Sequence, residues 1–295
     1  VDTTHKAGFV NIIGNPNAGK STLMNALMGE KLSIVSPKVQ TTRHRIMGIL
    51  NGDDYQIVYS DTPGVIDPKY KLQEGMMKFV GTALTDADLI LLVIDSSDKV
   101  PFHTATLEKI KKTSVPVFVV LNKYDLVGND GVNDLFELWS KELPDAKIFP
   151  VSALEKIHTR ELLDQIIKVL PPSPPYFPKD EVSDRSMRFF VSEIIREKLL
   201  TNYDKEIPYS CEVAIESYKE EESIIRIGAV IFTERESQKR IIIGHGGSAL
   251  KRVGTQARKD IEAFVGKQVF LQTFVKVDEN WRNDPRKLRN FGYIE

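Results

Sequence analysis

The stretch Gly14-Asn15-Pro16-Asn17-Ala18-Gly19-Lys20-Ser21 constrains this chain more than any other. It follows the apolar run Phe9-Val10-Asn11-Ile12-Ile13 and leads into a helical pattern from Thr22 to Met28. Buried strand, glycine-punctuated loop and helix start therefore come in the order that gives the spacing G-x-x-x-x-G-K-S a mechanism. Gly14 and Gly19 let the backbone curl until successive N–H groups point inward at phosphate oxygens, and the helix N-terminus adds about half a positive charge. Lys20 reaches the outer phosphates. Ser21, with Thr22 behind it, offers a hydroxyl to Mg²⁺, which takes hard oxygen ligands. A plain strand-helix turn needs one glycine but gives no reason for Lys-Ser after it.

From Phe9 to about Leu170 short β-rich runs alternate with helical stretches. Residues 56–59, 89–94, 117–121 and 147–151 read as strands, and residues 72–84, 103–112, 132–142 and 160–170 as helices. The run at 89–94 is apolar nearly throughout, as strands covered on both faces of a parallel sheet are. The pattern predicts an α/β fold with a doubly wound sheet, whose ligands lie at the carboxyl ends of the strands. Pro171-Pro172-Ser173-Pro174-Pro175-Tyr176-Phe177-Pro178 holds five prolines and can be neither helix nor central strand. It reads as an extended, semi-rigid linker, with a proline-rich docking site as the competing view. Beyond it Ser183-Asp184 caps a helix over 188–200, strands cover 209–218 and 224–232, a loop follows at 244–247, then a helix over 248–264 and a strand over 269–277. The division expected is therefore 1–170, linker 171–180, a second domain 181–280 in the order α, β, β, α, α, β, and a tail 281–295 with no structure assigned.

Two strand-end motifs complete the first domain. Asp61-Thr62-Pro63-Gly64 follows the strand ending at Ser60, so Asp61 can hold Mg²⁺ through a water and the Gly64 N–H can sense the terminal phosphate. Asn122-Lys123-Tyr124-Asp125 ends the strand 117–121. A carboxylate accepts two hydrogen bonds from guanine, at the ring N–H and the exocyclic amino group, whereas adenine presents no such pair. Asp125 thus favours guanine and rejects adenine by leaving a polar group unpaired, by ~10⁴ or more in sites of this type. Asn122 braces the loop, Lys123 lies along the base, and Ser152-Ala153-Leu154 brings backbone N–H groups to the guanine carbonyl.

These motifs, in this order and at these intervals, resemble a translation-factor-related small GTPase. Ser36-Pro37-Lys38-Val39-Gln40-Thr41-Thr42-Arg43-His44-Arg45 resembles the first switch of the Era family. In that family the threonine before the arginine closes over Mg²⁺ and the terminal phosphate, which puts Thr42 there, with Thr41 the other choice. After Gly64, where many signalling GTPases carry a glutamine that orients the attacking water, stands Val65, so unassisted hydrolysis is expected on the order of 10⁻³ per second or below. Asn17 is the candidate to hold K⁺ beside the phosphates, as an asparagine does in related GTPases. The catalytic set is then Lys20, Thr42, Gly64 and Asn17.

The second domain carries Ile241-Ile242-Ile243-Gly244-His245-Gly246-Gly247-Ser248-Ala249-Leu250-Lys251-Arg252-Val253, which resembles the G-x-x-G element of KH domains. There a helix-loop-helix clamps about four single-stranded nucleotides. Gly244 and Gly247 admit the sugar-phosphate chain to main-chain N–H groups, with His245 and Gly246 between them. Lys239, Arg240, Lys251, Arg252, Arg258 and Lys259 flank the loop, a local cluster in a chain whose net charge is only −1. The element order fits a smaller α+β KH domain of type II. His245 reads as a loop residue near RNA, because no His, Cys or carboxylate recurs at metal spacing.

The resemblance covers essentially the whole chain. It implies a bacterial-type or organellar GTPase using GTP/GDP, Mg²⁺ and K⁺, which binds the 3′ end of 16S rRNA, no DNA, and assists assembly of the 30S subunit. A cytoplasmic location with a fraction peripheral to the inner membrane is implied with it, and the basic tail 282–289 reads equally as a solvated terminus or as a segment that reaches RNA or a membrane surface. The single cysteine, Cys211, rules out an internal disulfide, suits a reducing compartment and reads as a small buried residue. The longest apolar run, at 87–94, is far short of a membrane span. The N-terminus shows no signal-peptide pattern, and opening on Val1 is what a trimmed chain shows. Two rivals remain open: a small-molecule kinase using the same phosphate loop, and an RNA-binding module whose nucleotide site is structural.

Overall fold

β1 (Lys6–Gly14) delivers the glycine-punctuated loop to α1 (Lys20–Met28). Then come β2 (Ile46–Asn51), β3 (Tyr55–Asp61), α2 (Lys71–Thr85), β4 (Leu89–Asp95), α3 (Thr104–Lys111), β5 (Val117–Asn122), α4 (Gly128–Glu142), β6 (Lys147–Val151) and α5 (Thr159–Val169). The computed structural model describes residues 5–98 and 100–294, without the side chain of residue 129. Val1, on which the expectation of trimming rests, and the last tail residue lie outside the described residues. The strands form one sheet in the order β2-β3-β1-β4-β5-β6, parallel except for β2, which runs antiparallel to β3. Leu89 to Val93 are fully buried, as a strand covered on both faces requires. The five parallel strands end on Gly14, Asp61, Asp95, Asn122 and Val151, so these residues share the carboxyl edge of the sheet.

The chain divides into two compact units, residues 1–69 with 73–184 and residues 185–295 with 70–72. Residues 181–184, expected in the second domain, belong to the first unit. The proline stretch runs along that unit. The Gln56 side chain accepts from the Tyr176 and Phe177 amides at 2.7 and 2.9 Å and donates to the Phe177 carbonyl at 2.8 Å. Further on, Ile49 donates its N–H to the Val182 carbonyl at 2.9 Å and Ser183 Oγ donates to the Met47 carbonyl at 2.5 Å. The segment thus lies on the outer edge of β2.

The second unit comprises α6 (Met187–Asn202), β7 (Glu212–Glu220), β8 (Ile224–Thr233), α7 (Glu236–Ile243), α8 (Ser248–Val265), β9 (Gln268–Val277) and α9 (Pro285–Asn290). Its sheet has the order β7-β8-β9, with β8 antiparallel to β7 and parallel to β9. Alternate residues Ile225, Ile227, Ala229 and Ile231 of β8 pack in one core with Ile195 and Leu199 of α6 and Val253, Ala257 and Ile261 of α8. Cys211 is buried in the same core. The N-cap of α6 is Ser186, whose hydroxyl accepts from the Phe189 amide, so the cap expected at Ser183-Asp184 is corrected. Strand β7 starts three residues after the expected Tyr209, because residues 203–210 turn back on themselves through amide-to-carbonyl bonds such as Ser210 to Glu206. The tail has structure after all: Trp281, Leu288 and Tyr293 are buried, and Trp281 Nε1 donates to the Ser210 carbonyl at 2.9 Å.

Candidate nucleotide site and nucleic-acid interface

The carboxyl edge of the first sheet opens into a cleft of ≈ 710 Å³. The phosphate loop lines it with Pro16, Asn17, Gly19, Lys20, Ser21 and Thr22, and Gly64, Asn122, Lys123, Asp125, Ser152, Ala153 and Leu154 enter it from the other strand ends. The loop is held from two sides. Asn122 Nδ2 donates to the Ala18 carbonyl at 2.8 Å, while Asn122 Oδ1 accepts the Ala153 N–H at 3.0 Å. One side chain therefore ties the phosphate loop to residues 152–154. Gly64 lies so close to the loop that a Cβ there would meet Pro16 Cα at 2.6 Å and Pro16 N at 2.7 Å, so only glycine fits.

Lys20 is buried and donates to the carbonyls of Gly14 and Asn15 at 3.2 and 2.8 Å. Burial lowers its pKa to about 8, against the opposing pull of Asp61. Asp61 is itself buried, which raises its carboxyl above the usual range, although Ser21, Lys20, Ser33 and Thr42 all favour the charged form. Asp61 Oδ2 accepts from Ser21 Oγ at 2.6 Å and from Thr42 Oγ1 at 3.3 Å, and the two hydroxyls are 2.8 Å apart. Among the described residues Asp61 Oδ1 is buried with no hydrogen-bond partner. A carboxylate with one unpartnered oxygen beside two hydroxyls fits a hard divalent cation such as Mg²⁺. Thr41, the other choice for the switch threonine, donates to the Lys38 carbonyl at 2.6 Å within its own loop.

Several expected contacts come out differently. Val65 is buried among Ile13, Val80 and Leu92, and its N–H donates to the Gly14 carbonyl at 3.1 Å, so its side chain belongs to the core and not to the cleft. Thr62 is buried and staples β3 to β1 through a 2.7 Å bond to the Ile12 carbonyl, and Pro63 is buried behind it. Asn15 turns its amide to the Pro101 carbonyl at 3.1 Å. The Ala153 N–H is donated to Asn122 and the Ser152 N–H to the Ile157 carbonyl at 3.2 Å, which withdraws both from a bound base. Leu154 stands 76% exposed on the rim. Sequence reasoning passed over Asp95, Ser97 and Asp98, which line the cleft at the end of β4, and Ile34 and Val35, which line it before the basic loop. The position of Asp95 at the end of an apolar strand was the signal available for the first group.

In the second unit the glycine loop joins α7 to α8. Gly244 has φ 70 and ψ 177, a region open to glycine alone, and a Cβ on it would meet the Ala249 Cβ at 2.7 Å. Gly246 and Gly247 face open space, and α8 starts at Ser248 immediately after them. His245, Arg240, Lys251, Arg252 and Lys259 are exposed. Arg258 is different: it pairs with Glu262 at 2.8 Å, and the same Glu262 oxygen accepts the Val269 N–H, so it fastens α8 to β9. Lys239 lies 3.9 Å from Glu236. Two residues that sequence reasoning did not single out shape the loop. Tyr203 donates its hydroxyl to the Ile242 carbonyl at 2.7 Å, and Asn202 accepts from Arg252 Nε at 2.9 Å.

The family model described as 50S ribosome-binding GTPase matches residues 9–123, and the KH domain model matches residues 206–282. GTPase Era of Syntrophus aciditrophicus (strain SB) is 45% identical over 293 residues, 98% of this chain and 96% of its own. GTPase Era of Staphylococcus haemolyticus (strain JCSC1435) is 43% identical over 295 residues, 99% of each chain. Among solved structures, a crystal structure of Era in complex with MgGDPNP and nucleotides 1506-1542 of 16S ribosomal RNA superposes with TM-score 0.94 at 38% identity, covering 99% of this chain and all (100%) of that one. A variant of Aquifex aeolicus Era bound to GDP and AlF4⁻ gives 0.93 at 37% identity, covering 98% of this chain and 100% of its own. Full-length identity, the two matched domains and the geometry of the cleft agree, and the chain is a member of the Era family of GTPases, a GTP hydrolase with a P-loop α/β domain followed by a KH domain.

Proposed function

We propose that this GTPase is a switch that grips the 3′ end of 16S rRNA and assists assembly and maturation of the 30S subunit. The observation that carries the reading is the meeting of Thr42, Ser21 and Asp61, which come from a loop, a helix start and a strand end and are joined by short hydrogen bonds. Such a cluster links the state of the phosphates to the path of the chain from Thr42 onward.

In the mechanism proposed, Lys20 leaves the loop carbonyls for the outer phosphates, Ser21 and Thr42 turn their hydroxyl oxygens toward Mg²⁺, and Asp61 supports that shell. When bound, Mg²⁺ supplies positive charge to the terminal phosphates as the bond to the leaving group breaks. The Gly64 N–H faces the terminal phosphate. Asp125 reads the guanine edge, Lys123 lies along the base, and the Leu154 N–H is the one of the three at 152–154 not donated within the protein among the described residues. Asn17, exposed at the rim with φ 62, would hold K⁺, which would add positive charge beside the phosphates, while Val65, buried and without a polar group, orients no water. Hydrolysis is slow for the same reason. Equal rates in K⁺ and Na⁺ for both wild type and Asn17→Ala would remove the K⁺ step.

The RNA half rests on the similarity to the Era structure that contains 16S rRNA nucleotides, and on the three glycines with exposed Arg240, Lys251 and Arg252 beside the start of α8. We place the protein in the cytoplasm with a fraction at the inner membrane surface. No helix among the described residues is long and apolar enough to cross a membrane, and exposed Arg286 and Arg289 of α9 supply cations for surface contact. The test is RNA affinity: a fragment carrying the 3′ end of 16S rRNA should bind more tightly with a non-hydrolysable GTP analogue than with GDP. Equal affinity would sink the switch.

A further inference from the structure

β4 and β5 pair in a parallel register that sets Asp95 beside Asn122, so the carboxylate ending one strand and the lysine just past the end of the other start as neighbours. The Lys123 ammonium donates to Asp95 Oδ2 at 2.5 Å. The second oxygen, Oδ1, accepts the Ser97 N–H at 2.9 Å and the Ser97 hydroxyl at 2.6 Å. The carboxylate is thus oriented from both sides. The Asp95 side chain is 15% exposed and that of Lys123 32%, so the pair is only partly solvated, and both residues line the cleft with Asp125.

We infer that Asp95, which lies outside every nucleotide motif of the chain, is a positioning residue that holds Lys123 across the base slot before guanine arrives. A lysine is a flexible four-carbon stem with a compact charge at its end. Left loose, it loses that freedom when a base stacks on it. Anchored, it has already lost it, and the affinity gained is that of preorganisation. The inference rests on reading 122–125 as the base-recognition loop. Because the base is the same in GTP, GDP and the transition state, the anchor affects binding uniformly and leaves turnover at saturation untouched.

The experiment measures Kd for GDP and for a non-hydrolysable GTP analogue, with kcat at saturating GTP, in the full chain. It compares wild type, Asp95→Ala, the near-isosteric Asp95→Asn, Lys123→Ala and the Asp95→Ala/Lys123→Ala pair. Expected are a loss of about tenfold in affinity for both nucleotides in each Asp95 variant, an unchanged kcat, and a double variant no weaker than Lys123→Ala alone. Losses that multiply in the double variant, a fall in kcat, or wild-type affinity in both Asp95 variants would overturn the assignment. Wild-type affinity in Lys123→Ala would instead bring down the base-loop reading, and the anchor with it. Asp95→Asn keeps the side-chain volume, so a folding defect confined to Asp95→Ala leaves the result readable.

Discussion

Lys20 lies where burial opposes charge, and its pKa of about 8 has a consequence for nucleotide binding. Phosphate oxygens favour the charged ammonium, so binding raises that pKa. Below about pH 8 the lysine is already charged in the free protein and affinity is flat. Above it, binding must take up a proton, and affinity falls by up to about tenfold per pH unit. The expected outcome is a GDP affinity that drops between about pH 8 and pH 9 in wild type and shows no such slope in Lys20→Met, measured by titration calorimetry. The two adjacent threonines separate in the same way by their partners. Thr42→Ala should weaken Mg²⁺-dependent analogue binding and abolish hydrolysis, whereas Thr41→Ala, which loses a loop bond to Lys38, should cost about 1 kcal/mol of stability and keep activity. A thermal melt and a phosphate-release assay on the pair check this. Both threonines line the cleft, and which of them meets Ser21 and Asp61 follows from the loop's path; family resemblance rather than any local pattern pointed to Thr42. The roles of Thr62, Asn15 and Ala153 were not legible, because each bonds to a group far along the chain: Thr62 to the Ile12 carbonyl, Asn15 to the Pro101 carbonyl and Ala153 to the Asn122 side chain.

Elements were read best where one face or both faces are buried. β4 and β5 were legible from their apolar runs, and α8 from a strongly one-sided face that buries Val253, Ala257 and Ile261. β2 was missed. Its apolar run Ile46-Met47-Gly48-Ile49-Leu50 is short and broken by a glycine, and the further sign available was Asn51-Gly52 in the turn toward β3. The tail was missed for a different reason: Trp281, Leu288 and Tyr293 are spaced too widely to show a period, and each finds a site made by other elements. Tyr293, for example, donates to Glu212 of β7 at 2.5 Å. Trp281→Ala should destabilise the protein by about 3–5 kcal/mol, read by chemical denaturation. At the glycine loop, Lys251→Ala should weaken RNA binding across sequences and reduce the salt slope by about 1, as loss of one phosphate contact does. Arg258→Ala should instead lower stability, since its partner is Glu262 of its own helix.

The division of the whole molecule into two units was legible from the proline run, but the boundary was not. Prolines announce an extended backbone and say nothing about what lies beside it. Here that backbone passes Gln56 and then joins β2 through Ile49 and Ser183, so the first unit continues to residue 184. A first unit ending at residue 184 should stay monomeric with a single cooperative melt. One ending at residue 170 should melt lower and self-associate, as light scattering after size exclusion would show.

That difference has a practical reach. An edge strand with bare N–H and C=O groups is a template for another chain, and here the protein's own backbone occupies the place an intruder would take. A protease nick among the prolines would therefore do more than separate two modules: it would loosen the guard on the sheet and invite aggregation of an otherwise intact nucleotide-binding half.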